Sequence, residues 1–234
     1  MPARQRARRG SPLFLPSAFD LFKPSRDLFL ENLNVFGILY IVPLFFWLHS
    51  WAWTPATNGH YWNRITDANY SWSSFPAAYV GIFIGFSVLW FLFVIIAATL
   101  VNVMMQRAQL DAVEGHALTF ARLWTVAKEN GWRMFKTYIT VALIIVFSLA
   151  ILSRRYILAP YVMLEKKCSV KEALAEAHSL SNRNPGSVWG LIGVMFLISL
   201  LGVFPVIGSL ASFILGALYS IAPAIRYQQL KKLG

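Results

Sequence analysis

Acidic residues are scarce in this chain, and over long stretches they are missing. Only 10 of 234 residues are Asp or Glu, against 21 Lys and Arg. None precedes Asp20, and none falls within residues 34–53, 77–105, 188–204 or 207–225. A proton-coupled carrier ordinarily needs an acid inside its membrane helices, so this gap counts against one. Cysteine is nearly absent too: Cys168 stands alone, which excludes an internal disulfide and any paired-cysteine metal site. The four histidines, His49, His60, His116 and His178, lie far apart and without H-E-x-x-H spacing. Neither a P-loop nor a G-x-S-x-G elbow is present, and no motif calls for a cofactor or a metal. His60 and Asp67 share one polar loop, where a solvated role suits them better than a catalytic one.

What the chain has instead is apolar sequence. Hydrophobic residues make up 57% of it, aromatics 15% and charged residues 13%, with a mean hydropathy of +0.56. Those values exceed what a water-soluble domain of this length carries, so the bilayer is the expected solvent. Crossing a hydrocarbon core takes about 20 helical residues. Residues 34–53, 77–105, 188–204 and 207–225 meet that requirement, and the expected fold is an all-α polytopic helical membrane bundle with amphipathic interfacial helices. A fifth apolar stretch, 134–164, contains the adjacent Arg154 and Arg155.

Basic residues set the orientation, because cytoplasmic flanks are rich in Lys and Arg and translocated loops are poor in them. The flank 1–33 is arginine-rich, whereas the loop 54–76 holds only Arg64. This places the N-terminus in the cytoplasm and the loop outside; the alternative for "MPARQRARRG" is an organellar presequence. If 134–164 crosses once, positive charge divides almost evenly between the two sides. If it enters and returns as a broken hairpin, all but Arg64, Arg154 and Arg155 of the 21 fall on one side. The second arrangement is the expected one. Its return arm is short, which calls for tilting, unwinding around a hinge at Pro160, or shielding by neighbouring helices. Residues 226–234 then form a basic cytoplasmic tail. The basic residues punctuate apolar runs rather than line a soluble module, which argues against nucleic acid as a partner.

The run "RYILAPYVMLEKKCSVKEALAEAHSLSNRN", residues 155–184, resembles the signature of the glycerophosphodiester phosphodiesterase membrane-domain superfamily of bacterial multi-pass proteins. Arg155, Tyr156, Ala159, Pro160, Glu165, Ser169, Ala173 and Leu174 carry the likeness, which extends over residues 132–201. It implies a standalone inner-membrane protein without an assigned activity, the phosphodiesterase itself being a separate soluble barrel in the few fusions.

Read from its residues alone, the same run is a polar surface helix, 169–182. Ser169 and Glu172 form an S-x-x-E capping box, and Val170, Ala173, Leu174 and Ala177 recur at helical spacing. Residues 119–131 repeat the design, with a Thr119 start and an Asn130-Gly131 stop, and a fainter copy begins at Ser17 and Asp20. Such helices lie in the interface and sense lipid, or else cap the bundle. Small residues Gly208, Ser212, Gly216, Ser220 and Ala224 recur every fourth position, with a shorter pair at Gly81 and Gly85. Seams of this kind serve close packing within the chain, or homodimerisation. Trp51, Trp53, Trp62, Tyr70 and Trp72 read as an interfacial belt, and "NYS" at Asn69 fits an acceptor sequon.

Arg154, Arg155 and Tyr156 are the candidate anion or lipid contacts; the plainer reading has both arginines snorkelling to the interface. The expected function is non-enzymatic: a membrane protein that organises lipid, or a membrane-protein partner. A transporter or channel subunit with its site near the break at residues 154–160 is the alternative, and a lipid-acting enzyme the third.

Overall fold

The computed structural model describes residues 15–56, 77–148, 152–204 and 207–233. The chain is all-α, with no strand among the described residues. A 3-10 turn at Phe19–Leu21 leads into α1 (Phe22–Glu31), followed by α2 (Leu33–Ala56), α3 (Ala77–Glu114) and α4 (Phe120–Phe147). Then come the short α5 (Ser153–Tyr156) and α6 (Ala159–Lys166), the polar α7 (Val170–Arg183), and α8 (Pro185–Leu201), α9 (Ile207–Tyr219) and α10 (Ala222–Lys232). Gly85–Glu114 and Ile207–Lys232 are each long and apolar enough to cross a membrane. Two bent helix pairs pass the same test jointly, giving two to four candidate spans among the described residues. The protein is therefore a membrane protein. The arginine-rich start to residue 14, and the loop with His60, Asp67 and Asn69, lie outside the described residues.

Two compact units divide the chain. One is residues 32–136; the other joins the described part of residues 1–31 to residues 137–233. In the first, α2 packs on α3, and α3 ends in a Schellman turn. Gly115 takes φ 72°, its N–H reaches Ala112 O and the His116 N–H reaches Asp111 O. A residue with a side chain would be strained there, which is why glycine closes this helix.

The second unit is built around α6, whose residues Ala159–Leu164 are all buried and which packs with α5 against α7. Proline sits in the first turn of α6, α8 and α10, at Pro160, Pro185 and Pro223. Lacking an N–H, proline is tolerated where a helix starts and breaks one that tries to continue. α7 and α8 are accordingly bent by 102°, with Asn184 capping α8 through Ser187 N–H (3.1 Å). A core of Ala18, Leu21, Leu191, Val194, Tyr219 and Ala222 joins the N-terminal segment to α8, α9 and α10.

Several sequence expectations need correction. Asn130-Gly131 does not stop a helix: α4 runs unbroken from Phe120 to Phe147. Asn130 turns its amide back to Val126 O (2.9 Å), and a Cβ at Gly131 would lie 3.2 Å from Leu100 Cδ2. The glycine leaves room for the Leu100 side chain and does not end the helix. The expected span 207–225 falls within Ile207–Lys232, which is long and apolar enough to cross, with a turn at Ser220–Ile221 between α9 and α10. The supposed tail 226–234 is mostly the rest of α10, with Arg226, Tyr227 and Leu230 buried.

Candidate functional site

The arginine pair occupies a single turn. Ser153–Tyr156 is closed by Arg155 N–H on Leu152 O and Ile157 N–H on Ser153 O, both 3.0 Å. Pro160 cannot offer an N–H to Tyr156 O, so regular pairing lapses at Ile157 and Leu158 and restarts in α6. Arg154, Arg155 and Tyr156 are each half-buried. Neither guanidinium has a hydrogen bond or an ion pair among the described residues. Tyr156 meets His178 edge to face, with ring centroids 6.3 Å apart and planes at 80°.

The hairpin reading put Arg154 and Arg155 at the far side of the membrane from the polar helix. The structure packs α5 directly on α7, whose Lys171, Glu172, Glu176, His178 and Arg183 are too polar for hydrocarbon. The two guanidinium groups thus lie on a turn packed beside that polar helix.

Around them, α6 is stitched to its neighbours. Glu165 accepts from the Tyr227 hydroxyl and from Lys231 Nζ, Lys166 pairs with Glu176 at 2.6 Å, and Tyr161 stacks on Tyr227 at 6.1 Å. Partial burial pushes the Glu165 carboxyl upward, but the Lys231 and Tyr227 hydrogen bonds, with the Lys231 and Lys166 charges, outweigh it and hold it below the usual carboxylate range. Ser169 and Glu172 form the complete capping box of α7: Ser169 N–H on Glu172 Oε2 at 2.8 Å, Glu172 N–H on Ser169 Oγ at 3.3 Å. Burial, with Glu172 and Glu176 nearby, pushes the Cys168 thiol up. It stays protonated and is no candidate nucleophile.

Two buried ionic residues were missed in the sequence. Asp111 is fully buried; its Oδ1 takes Arg107 Nη2 at 2.6 Å and Arg122 Nη2 at 3.2 Å, tying the end of α3 to the start of α4. The i,i+4 spacing from Arg107 was the one signal available. Ligand atoms of Asp111, Glu114 and His116 lie within 4.8 Å of one another. A cation there would face two guanidinium groups already on Asp111, so an ion-pair network describes the cluster better than a metal centre. Arg226 is also fully buried, with Nη2 on Pro16 O at 2.8 Å. By sequence alone it belongs to the basic cytoplasmic tail, 226–234.

The small-residue seam faces α8. A Cβ on Gly208 would overlap Leu201 O, one on Gly216 would touch Ile198 Cγ2 at 4.0 Å, and Ser212 lies beside Gly202. Ser220 falls in the turn between α9 and α10. Gly85 departs from expectation: it is exposed with nothing within 4 Å. Among the described residues a Cβ there would meet nothing, and the surroundings of Gly81 lie outside the described side chains. Comparison with protein-family models, curated proteins and solved structures finds no match to the chain.

Proposed function

We propose that this is a non-enzymatic multi-pass membrane protein that organises lipid, or a membrane-protein partner, by drawing an anion onto Arg154 and Arg155. The observation that carries this reading is the pair itself. Two half-buried guanidinium groups stand side by side against a polar surface helix, with no acidic partner among the described residues. Partly desolvated cations are stabilised by a phosphate or carboxylate delivered from outside, and guanidinium is suited to both. Tyr156, wedged against His178, fixes the turn that presents them. The likeness of residues 155–184 to the membrane-domain superfamily fits a standalone protein of this kind, with its N-terminus in the cytoplasm of a bacterial inner membrane.

The test uses the full chain in nanodiscs of zwitterionic lipid with and without phosphatidylglycerol. Anionic lipid raises Tm, and Arg154→Gln with Arg155→Gln removes most of that rise; a double variant that keeps the whole rise rejects the reading. Orientation is checked separately by cysteine accessibility at positions 69, 166 and 231 after Cys168 is replaced. Labelling of positions 166 and 69 from the same side refutes it.

A second reading, a transporter or channel subunit, draws on the break at Ile157–Leu158, since interrupted membrane helices often border a substrate path. Solute flux in proteoliposomes that falls on Arg155→Gln is the result that would favour it.

A further inference from the structure

Within residues 32–136, α3 and α4 enclose an apolar groove of about 360 Å3. Leu92, Ile96 and Leu100 form one wall, Trp132 and Phe135 the other, and Lys128 stands among the lining residues. Leu100 reaches across to Gly131, its Cδ2 3.2 Å from where a Cβ there would sit. The one hydroxyl in the lining, on Thr99, is already spent on Ile95 O at 2.8 Å. Apart from Lys128 and the Trp132 indole N–H the lining offers a polar ligand nothing to bond, whereas a hydrocarbon chain meets mostly apolar surface.

The rim has the opposite chemistry. Trp124, Lys128, Trp132 and Lys136 are spaced four apart and so form one row along α4. Lys128 Nζ lies 5.9 Å from the Trp124 ring centre and Lys136 Nζ 5.1 Å from that of Trp132. Tryptophan and lysine in alternation suit the headgroup layer, where indole sits among glycerol and carbonyl groups and ammonium reaches phosphate. Residues 120–136 carry Arg122, Lys128, Arg133 and Lys136 against Glu129 alone, so the edge favours an anion. Trp132 is 66% exposed, as a wall shared with a lipid would be. From Leu92 to Leu100 the apolar wall rises about 12 Å, a depth in keeping with one chain entering from the interface.

We propose that the groove between α3 and α4 is a binding site for an anionic glycerophospholipid, with an acyl chain along Leu92, Ile96 and Leu100 and the phosphate at Lys128. A partner's membrane helix fits poorly. Helices associate in lipid through small residues, and of the two in the lining Gly131 is covered by Leu100 while the Thr99 hydroxyl is bonded to its own helix. The inference does not rest on Arg154 and Arg155, which belong to the other unit.

Native mass spectrometry of the full chain in detergent, titrated with dioleoyl phosphatidylglycerol or dioleoyl phosphatidylcholine, tests it. Phosphatidylglycerol is retained in preference, and Lys128→Gln lowers that retention about fivefold, as expected for one surface lysine, while leaving phosphatidylcholine unchanged. Ile96→Trp, at an exposed position, fills the groove and lowers retention of both. The Arg154→Gln/Arg155→Gln variant retains phosphatidylglycerol at this site as the parent does. Equal retention of the two lipids by the parent, indifference to both Lys128→Gln and Ile96→Trp, displacement by chain-free glycerol phosphate, or a peptide held in place of lipid would each overturn it.

Discussion

At Lys167 the backbone turns left-handed, with φ 51°, and its N–H closes α6 onto Met163 O at 2.9 Å. Left-handed geometry costs a residue with a side chain about 1–2 kcal/mol. Glycine avoids most of that but gives back about 0.5–1 kcal/mol in unfolded-chain freedom. Lys167→Gly is therefore expected to stabilise by about 0.5–1 kcal/mol, read as a rise in Tm in detergent. Two residues earlier, Glu165 is held below the 4.5 it would show unfolded. A depressed carboxylate contributes stability that is present above its unfolded pKa and is lost as pH falls through the folded one. The expected profile is a flat Tm at neutral pH and a decline below about pH 4.5. Glu165→Gln lowers Tm at neutral pH and flattens the decline; an unaltered acid limb would show that another group governs it. Neither residue was singled out for these roles in the sequence. A left-handed lysine has no local signature, and Glu165 acquires meaning only from Tyr227 and Lys231, some 60 residues later.

The all-α class and the helix caps were far more legible. Apolar length gave the all-α membrane class, and Ser169 with Glu172 gave the start of α7 to the residue, because both signals depend on neighbours a few positions apart. The reciprocal bonds of Ser17 and Asp20, at 2.9 and 3.2 Å, belong to the same class. Where the reading went astray, distant packing had overruled a local rule. Asn130-Gly131 looks like a stop until Leu100 is seen against the glycine, and the basic end of the chain looks solvated until Pro16 O is seen on Arg226. The repeat of small residues named the contact face of α9 but not its partner, which is α8. Gly208→Ala tests that pairing. The added methyl would overlap Leu201 O and Phe204 Cβ, for a loss of about 1–3 kcal/mol. Gly85→Ala, with open space around it, is expected to leave the thermal transition where it was.

For the molecule as a whole, the decisive bonds join residues far apart in the chain. Ser25 Oγ donates to Leu218 O at 2.7 Å and accepts from Ile221 N–H at 3.2 Å. It thereby satisfies two backbone groups left over where α9 gives way to α10. Nearby, the Tyr219 hydroxyl donates to Ala18 O at 2.8 Å. Ser25→Ala strands both backbone groups in a buried place and is expected to cost about 2–4 kcal/mol. Hydrogen exchange should show the opening at residues 218–225 while 92–112 stays protected; loosening confined to α1 would contradict the role given to Ser25. Nothing within a few positions of Ser25 hints at this task, since its partners lie more than 190 residues downstream. A timing constraint results. During translation α1 emerges early, yet its seat is not built until residues 218–226 have been made, so α1 must wait unseated while the 193 residues that separate Ser25 from Leu218 are made. Messages truncated before Leu218 would yield proteins with an unfilled berth, which membrane quality-control proteases could recognise and clear.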